Sequence, residues 1–186
     1  MHRTVDVIAA LIVLVVLSPL LLGLALWIKL TSPGPVLHWS LRAGLNNTLF
    51  RMPKFRTMRL DTPVVATHLL SGPEQYLTPI GSVLRRWSLD ELPQLYSILR
   101  GDLALVGPRP ALHNQHDLIA LRTARGVHKL VPGLTGWAQV NGRDELSIPH
   151  KVELDVHYLK HRSVMLDLKI LFRTVVAVTQ GSGVSH

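Results

Sequence analysis

The sequence predicts an α+β protein: an apolar N-terminal helix-break-helix, followed by a compact, mostly helical domain with a few short strands. Three observations lead there. A long uncharged run, Val7 to Ile28, is interrupted by Ser18-Pro19. A stretch of extended character, VLHWSLRAGLNNTLFRMPKFRTMRL, turns at Asn46-Asn47. Apolar residues then recur at helical spacing, at Leu92, Leu95 and Leu99 and again in the C-terminal DLKILFRTVVAVTQ.

The apolar run comes first in the chain. At a rise of ~1.5 Å per residue it reaches about 33 Å as a straight helix, roughly one bilayer core. It is longer than the apolar region of a signal peptide, and no small-x-small cleavage site follows Trp27. Pro19 cannot donate the i→i−4 hydrogen bond and its ring strikes the preceding turn, so a kink or break is expected there. Ser18 can satisfy a carbonyl freed by that break. Three arrangements stay open: a kinked spanning helix, a re-entrant hairpin that enters and leaves by one face, and, well behind both, a buried helix of a soluble core. His2 and Arg3 precede the run, and Lys29, Arg42, Arg51 and Lys54 follow it. Basic flanks favour the cytoplasmic side, which suits the hairpin when both flanks are basic. Each arm of about 11 residues then reaches about 16 Å, half the hydrocarbon depth.

TSPGP, Thr31 to Pro35, is a turn cluster that closes the membrane segment. It divides the chain into a membrane hairpin, residues 1–30, and a cytosolic or interfacial domain, residues 31–186. Thr62 to Thr78 reads as loop with a little helix. SLDELPQLYSILRG reads as a helix, with Gly101 just past its end. Pro93 is tolerated only in a first turn, so that helix is expected to begin between Ser88 and Asp90. Ser88-x-x-Glu91 matches a capping box. VGPRP must be a stiff loop. Ala111 to Arg125 has helical character. VPGLTGWAQVNGR is rich in turns, with a tight turn at Asn141-Gly142. KVELDVHYLKHR and DLKILFRTVVAVTQ read as two further helices, the second capped by Asp167. Leu168, Leu171, Phe172, Val175 and Val178 form one broad face there, expected to pack on the core rather than lie on a bilayer surface.

A net charge of +8 draws polyanions: nucleic acid, acidic headgroups or phosphorylated small molecules. No cysteine is present, which excludes disulfides, thiolate nucleophiles and cysteine-held zinc. Aromatic residues are 5%, too few for a base-stacking platform. Ten histidines form no HxH or HExxH pattern, and the pair His113 and His116 lacks a third ligand. PGLTG fits no phosphate-loop or dinucleotide fingerprint. Trp137 reads as packing, and Asp155 and Tyr158, on one helix face, read as structural hydrogen bonding.

Against this basic background stand two adjacent acids, Asp90 and Glu91. Capping alone accounts for acids at a helix start. Their surroundings add a chemical reading. Arg85 and Arg86 lie just upstream, and Arg109 sits between two prolines. Lys54 and Arg56 occur in KFRTM, and Arg143 ends a Gly-rich loop. Cations on rigid loops suit capture of phosphate oxygens. Acids among such cations point to a metal bridge, because Mg²⁺ takes one or two carboxylates plus substrate phosphates. An aspartate in that setting can also attack phosphorus: it is ionised at neutral pH, and the cations neutralise its repulsion from a diphosphate.

SPGPV, KFRTM, SLDELPQL, GDLALVGPRP, PGLTGWAQVNGR and the KVELDVHYLK…DLKIL tail together resemble the bacterial sugar transferase family, the small monotopic polyprenyl-phosphate sugar-1-phosphate transferases (phosphoglycosyl transferases). The blocks run in the family's order over nearly the whole chain. The resemblance implies transfer of a sugar 1-phosphate from a UDP-sugar to undecaprenyl phosphate with release of UMP, the first membrane step of surface glycan assembly. It implies Mg²⁺ and a phosphosugar-enzyme intermediate, with Asp90 as nucleophile and Glu91 supporting metal and geometry. It places the phosphate-binding arginine at Arg109, and further donor contacts at Lys54, Arg56, Arg85 and Arg143. It turns the Ser18-Pro19 break into a re-entrant hairpin in the bacterial cytoplasmic membrane, with the catalytic domain on the cytoplasmic face. It admits a homo-oligomer and includes no nucleic-acid partner. The SGVSH ending and compact layout lean toward an N-acetylated hexose. HWSLRAG departs from the more polar, Phe- and Gln-containing stretch common in the family, which bears on acceptor contacts and leaves the dyad untouched.

Two other classes compete. A basic membrane-anchored module for nucleic acid or lipid headgroups explains the charge and leaves the acid pair and GPRP unexplained. A hydrolase would pass the same donor to water.

Overall fold

The computed structural model describes residues 3–62, 72–142 and 146–180. Arg143, the SGVSH ending, and residues 63–71 of the expected loop lie outside the described residues. The architecture is α+β, mostly helical with few short strands.

The apolar run forms two helices, α1 (Arg3–Val16) and α2 (Ser18–Thr31), bent by 62° at Leu17. The break has the expected cause. Pro19 enters the first turn of α2, and Ser18 Oγ donates to the Val15 carbonyl at 2.8 Å. Among the described residues no single helix is long and apolar enough to cross a membrane; the bent pair together is. Each arm presses a narrow stripe on the rest of the molecule and leaves the remainder outward. Ala10 of α1 packs with Phe50, Met52, Leu95, Ile98 and Leu103. Leu24 and Ile28 of α2 pack with Phe55, Ile80 and Leu84. Ile8, Leu11, Val15, Leu22, Leu26 and Leu30 are exposed.

Both ends of the pair are tied down. Arg3 Nη2 donates to the Leu99 carbonyl at 3.1 Å, and Arg56 Nη2 donates to the Ser32 carbonyl at 2.7 Å. Strands β1 (Leu37–Ala43) and β2 (Leu49–Phe55) then pair antiparallel, from Leu37↔Phe55 to Ala43↔Leu49. Asn46 and Asn47 turn the chain with φ of 52° and 62°, a left-handed conformation that asparagine tolerates.

The helix expected from Ser88 is two pieces, with a separate short helix before it. Helix α3 (Gly81–Arg86) ends before Ser88, Leu89–Gln94 is a 3₁₀ turn, and α4 (Leu95–Arg100) follows. The capping box is not formed. Ser88 itself is left-handed, φ 53°, and its side chain caps nothing, while the Glu91 carboxylate turns to cations instead of back to Ser88. The apolar stripe holds in part: Leu95 and Ile98 are buried, and Leu99 packs at the edge of the same cluster. Gly101 closes α4 with φ 102°, as expected for a C′ glycine.

Short strands β3 (Ala104–Val106) and β4 (Gly133–Thr135) pair parallel. Between them α5 (His116–Ala124) is shorter than expected, because the chain at Ala111–His113 first pairs with β1: Leu112 bridges Arg42, and His113 N donates to the Leu41 carbonyl at 3.2 Å. Helix α6 (Ile148–His161) starts earlier than expected, with Pro149 in its first turn. Helix α7 (Val164–Gln180) also starts earlier. Ser163 Oγ, not Asp167, caps it, accepting from Leu166 N at 3.2 Å. Asp167 is buried instead and accepts from the Tyr158 hydroxyl at 2.7 Å. The apolar face of α7 is a second correction. Leu168, Phe172 and Val175 are exposed, and the buried side is centred on Asp167 and Ile170, three residues apart. Trp137 is packing, as expected, against Val106, Leu130, Tyr158 and Ile170.

Candidate active site

Four segments meet at the acid pair. The first is the 3₁₀ turn that carries Asp90 and Glu91. It is fixed from behind by the left-handed Ser88, whose N–H donates to the Arg85 carbonyl at 3.0 Å and whose carbonyl accepts from Glu91 N at 3.2 Å. Such a conformation costs a non-glycine residue about 1 kcal/mol and persists only where the surroundings impose it. The second is β2, whose Lys54 points at the pair. The third is α3, whose last turn carries Arg85. The fourth is the GPRP loop after β3.

That loop is stiff for a traceable reason. Pro108 and Pro110 have no N–H, so the loop is held by the Gly107 N–H, which donates to the Thr135 carbonyl at 2.8 Å, and through its carbonyls. Gly133 N donates to the Pro108 carbonyl at 2.9 Å, and Ala43 N to the Ala111 carbonyl at 2.9 Å. PGLTG needs its glycines because its backbone lies on this loop: a Cβ at Gly133 would strike Gly107 N, and one at Gly136 would strike Gly107 O.

The two carboxylates are treated differently. Glu91 Oε1 takes Arg109 Nη2 at 2.6 Å and Lys54 Nζ at 2.7 Å, with Arg109 Nη1 at 3.4 Å from Oε2. Burial opposes its ionisation, yet Arg109 and Lys54, by charge and hydrogen bond, hold it well below the usual carboxylate range. Asp90 is 8% exposed and keeps Lys54 at a longer 3.9 Å. Burial pushes its pKa up; Lys54 pulls it down, Glu91 adds to the rise, and Arg85 and Arg109 pull less. One acid is consumed as a tie between two cations. The other is desolvated, beside positive charge, without a tight ion pair.

Arg85 and Arg56 take different places. Arg85 Nε donates to Thr57 Oγ1 at 3.0 Å; its own pKa is lowered by burial and raised by the Asp90 charge. Arg56 is buried and turned from the acid pair toward the loop after α2, where it holds the Ser32 and Pro33 carbonyls at 2.7 and 2.5 Å. The structure thus brings together Asp90, Glu91, Lys54, Arg109 and Arg85, and gives Arg56 a tether at the membrane-segment exit.

Sequence reasoning passed over Arg122. It is buried on α5, pairs with Asp155 of α6 through Nη2 at 2.6 Å, and donates Nη1 to the Arg109 carbonyl at 2.7 Å. Asp155 was expected to hydrogen-bond within the structure, but its partner lies 33 residues away, beyond any local pattern.

Among the described residues no group of three or more His, Asp or Glu could hold a metal ion. Two carboxylates with no third protein ligand is the donor set of an ion that completes its shell with substrate phosphates. Asp90, the less committed of the two, fits that role better than Glu91.

The family model described as "Bacterial sugar transferase" matches residues 1–181. An undecaprenyl-phosphate glucose phosphotransferase of Komagataeibacter xylinus is 42% identical over 93% of this chain and 35% of its own length. The UDP-glucose:undecaprenyl-phosphate glucose-1-phosphate transferase of Escherichia coli (strain K12) is 39% identical over 94% of this chain and 39% of its own. The uncharacterized sugar transferase EpsL of Bacillus subtilis (strain 168) is 42% identical over 100% of this chain and 91% of its own. The chain thus spans well under half the length of the first two relatives and nearly all of the third.

Proposed function

The chain belongs to the bacterial sugar transferase family, and on that premise we propose that it transfers a sugar 1-phosphate from a UDP-sugar to undecaprenyl phosphate, releasing UMP. The observation that carries this reading is the division of labour in the acid pair: Glu91 bound to Lys54 and Arg109, Asp90 buried beside them with its cation at 3.9 Å.

An Asp90 carboxylate oxygen attacks the phosphorus that bears the sugar. The bond from that phosphorus to the bridging oxygen breaks, and UMP leaves with the electron pair. An oxygen of undecaprenyl phosphate then attacks the same phosphorus, and Asp90 departs as carboxylate. Each step exchanges one phosphorus–oxygen bond for another, so catalysis is positioning and charge neutralisation. Lys54 and Arg109, held by Glu91, face the equatorial oxygens, and Arg85 adds charge beside Asp90. Bound Mg²⁺, carried by Asp90 and the diphosphate with Glu91 alongside, would supply further neutralisation of the developing charge.

The acceptor is a membrane lipid, so the site belongs at the interface. Each arm of the bent pair is 14 residues, about 21 Å, which is short of a bilayer core. Arg3 and Ser32, at opposite ends of the pair, are both tied to the same globular part. That supports the re-entrant hairpin, residues 1–30, over a span whose far end would stand away from the domain. The domain of residues 31–186 then lies on the cytoplasmic face, where UDP-sugars are.

The test is a panel of UDP-sugars, N-acetylated hexoses and glucose included, assayed for Mg²⁺-dependent UMP release with and without undecaprenyl phosphate. Lipid-linked product is expected only with acceptor, and donor alone should leave a phosphosugar mass on the peptide holding Asp90. Healthy turnover by Asp90→Asn would sink the nucleophile assignment. UMP release without lipid product would favour a hydrolase.

A further inference from the structure

We propose that Arg122, clamped by Asp155, is a positioning residue that sets where Arg109 points into the site. Glu91 and Arg109 meet only if the GPRP loop is held in register with the 3₁₀ turn; the backbone pins its two ends, and a side chain grips the Arg109 carbonyl between them. Its prolines remove two backbone donors. An open pocket of about 30 Å³ beside it is lined in part by Pro108, Arg109, Arg122 and His128. Two guanidinium groups hold the outer carbonyls: Arg122 Nη1 on Arg109 at 2.7 Å and Arg42 Nη1 on Pro110 at 3.2 Å.

Arg122 is the more constrained of the two. Its Nε and Nη2 both donate to Asp155 Oδ2, at 2.9 and 2.6 Å, and both residues are buried. This planar fork uses one edge on the carboxylate and leaves Nη1 aimed at a backbone oxygen, a geometry lysine cannot reproduce. The backbone atom it grips belongs to the residue whose side chain lies 2.6 Å from Glu91. Displacement there moves the cation that faces the diphosphate, so α6 reaches the site through one side chain of α5.

The inference rests on the transferase reading for its kinetic test only. Arg122→Lys keeps the charge on Asp155 and loses the reach to the Arg109 carbonyl. It is expected to lower kcat/KM for the UDP-sugar about tenfold, the scale of a small misplacement of a binding group, chiefly by raising KM. In an Arg109→Ala background the same change should cost less than about twofold, because a residue that acts through another loses its effect when that other is gone. Equal losses in both backgrounds would overturn the proposal. A second readout needs no turnover. The coupling between Glu91 and Arg109, measured as the departure from additivity of Tm losses in Glu91→Gln, Arg109→Ala and the double variant, should fall by about half when Arg122 is lysine. Unchanged coupling overturns the proposal even if no UDP-sugar is turned over. Asp155→Asn releases the other end of the clamp and carries the same two measurements should Arg122→Lys not fold.

Discussion

Two neighbouring acids in this chain should respond in opposite ways to losing their charge. Glu91→Gln removes the anion between Arg109 and Lys54, at 2.6 and 2.7 Å. At an effective dielectric constant of about 20, each such contact is worth about 6 kcal/mol of gross attraction, against about 4 kcal/mol for Asp90 and Lys54 at 3.9 Å. Desolvation offsets most of this. Charged hydrogen bonds of this kind retain about 1.5–3 kcal/mol net, and the partial exposure of Arg109 and Lys54 argues for the lower figure. Glu91→Gln should therefore cost about 3 kcal/mol, or roughly 6–12 °C in Tm for a chain of this size. Asp90→Asn should instead raise Tm by a few degrees, on the order of 1 kcal/mol, while abolishing turnover, because it relieves a buried charge kept for chemistry. The pH dependence follows with opposite signs. Glu91 has a depressed folded pKa, so its contribution is complete above the unfolded value near 4.5 and is lost as pH falls toward the folded one. Asp90 has a raised folded pKa, so the folded state holds the extra proton, and stability falls as pH rises from 3.8 through the folded value. Thermal unfolding of both variants in detergent between pH 3 and 8 reads all of this. If Asp90→Asn loses Tm as Glu91→Gln does, the division of labour between the two acids is wrong.

Further outcomes follow from the same geometry. Ser88→Ala should leave Tm within about 0.5 kcal/mol of wild type, because its side chain caps nothing, whereas a working cap would cost about 1 kcal/mol. Ser88→Gly should stabilise by about 1 kcal/mol in the same unfolding assay by relieving the φ of 53°. Arg109→Lys loses the two-pronged contact with Glu91 and should lower the rate of UMP release about a hundredfold; a loss under threefold would remove the bidentate role. Cysteines placed at Val5 and at Leu30, both exposed, should react with a membrane-impermeant reagent from the same side of sealed vesicles. Reaction of the Val5 position from the opposite side would replace the hairpin by a span.

Much of this protein is local in origin and was legible in its residues. Ser18-Pro19 breaks the apolar run because proline's ring and missing donor act on the turn beside it. Asn46-Asn47 turns the hairpin, and Gly101 ends a helix, because each tolerates a left-handed backbone where it stands. The stiffness of GPRP and the acid pair among cations could be read the same way. Only the tertiary structure decided which cation serves which acid. Glu91 leaves its expected cap because Lys54 and Arg109, 37 and 18 residues away, bind it more strongly than one backbone N–H can. Arg56 and Arg85, alike in sequence, part company because one meets loop carbonyls and the other meets Thr57. Arg122 and Asp155 find each other only when two helices pack. Short-range backbone sterics write themselves into a few adjacent letters. Charge pairing and burial are sums over the folded neighbourhood, and that neighbourhood exists only once the chain has closed on itself.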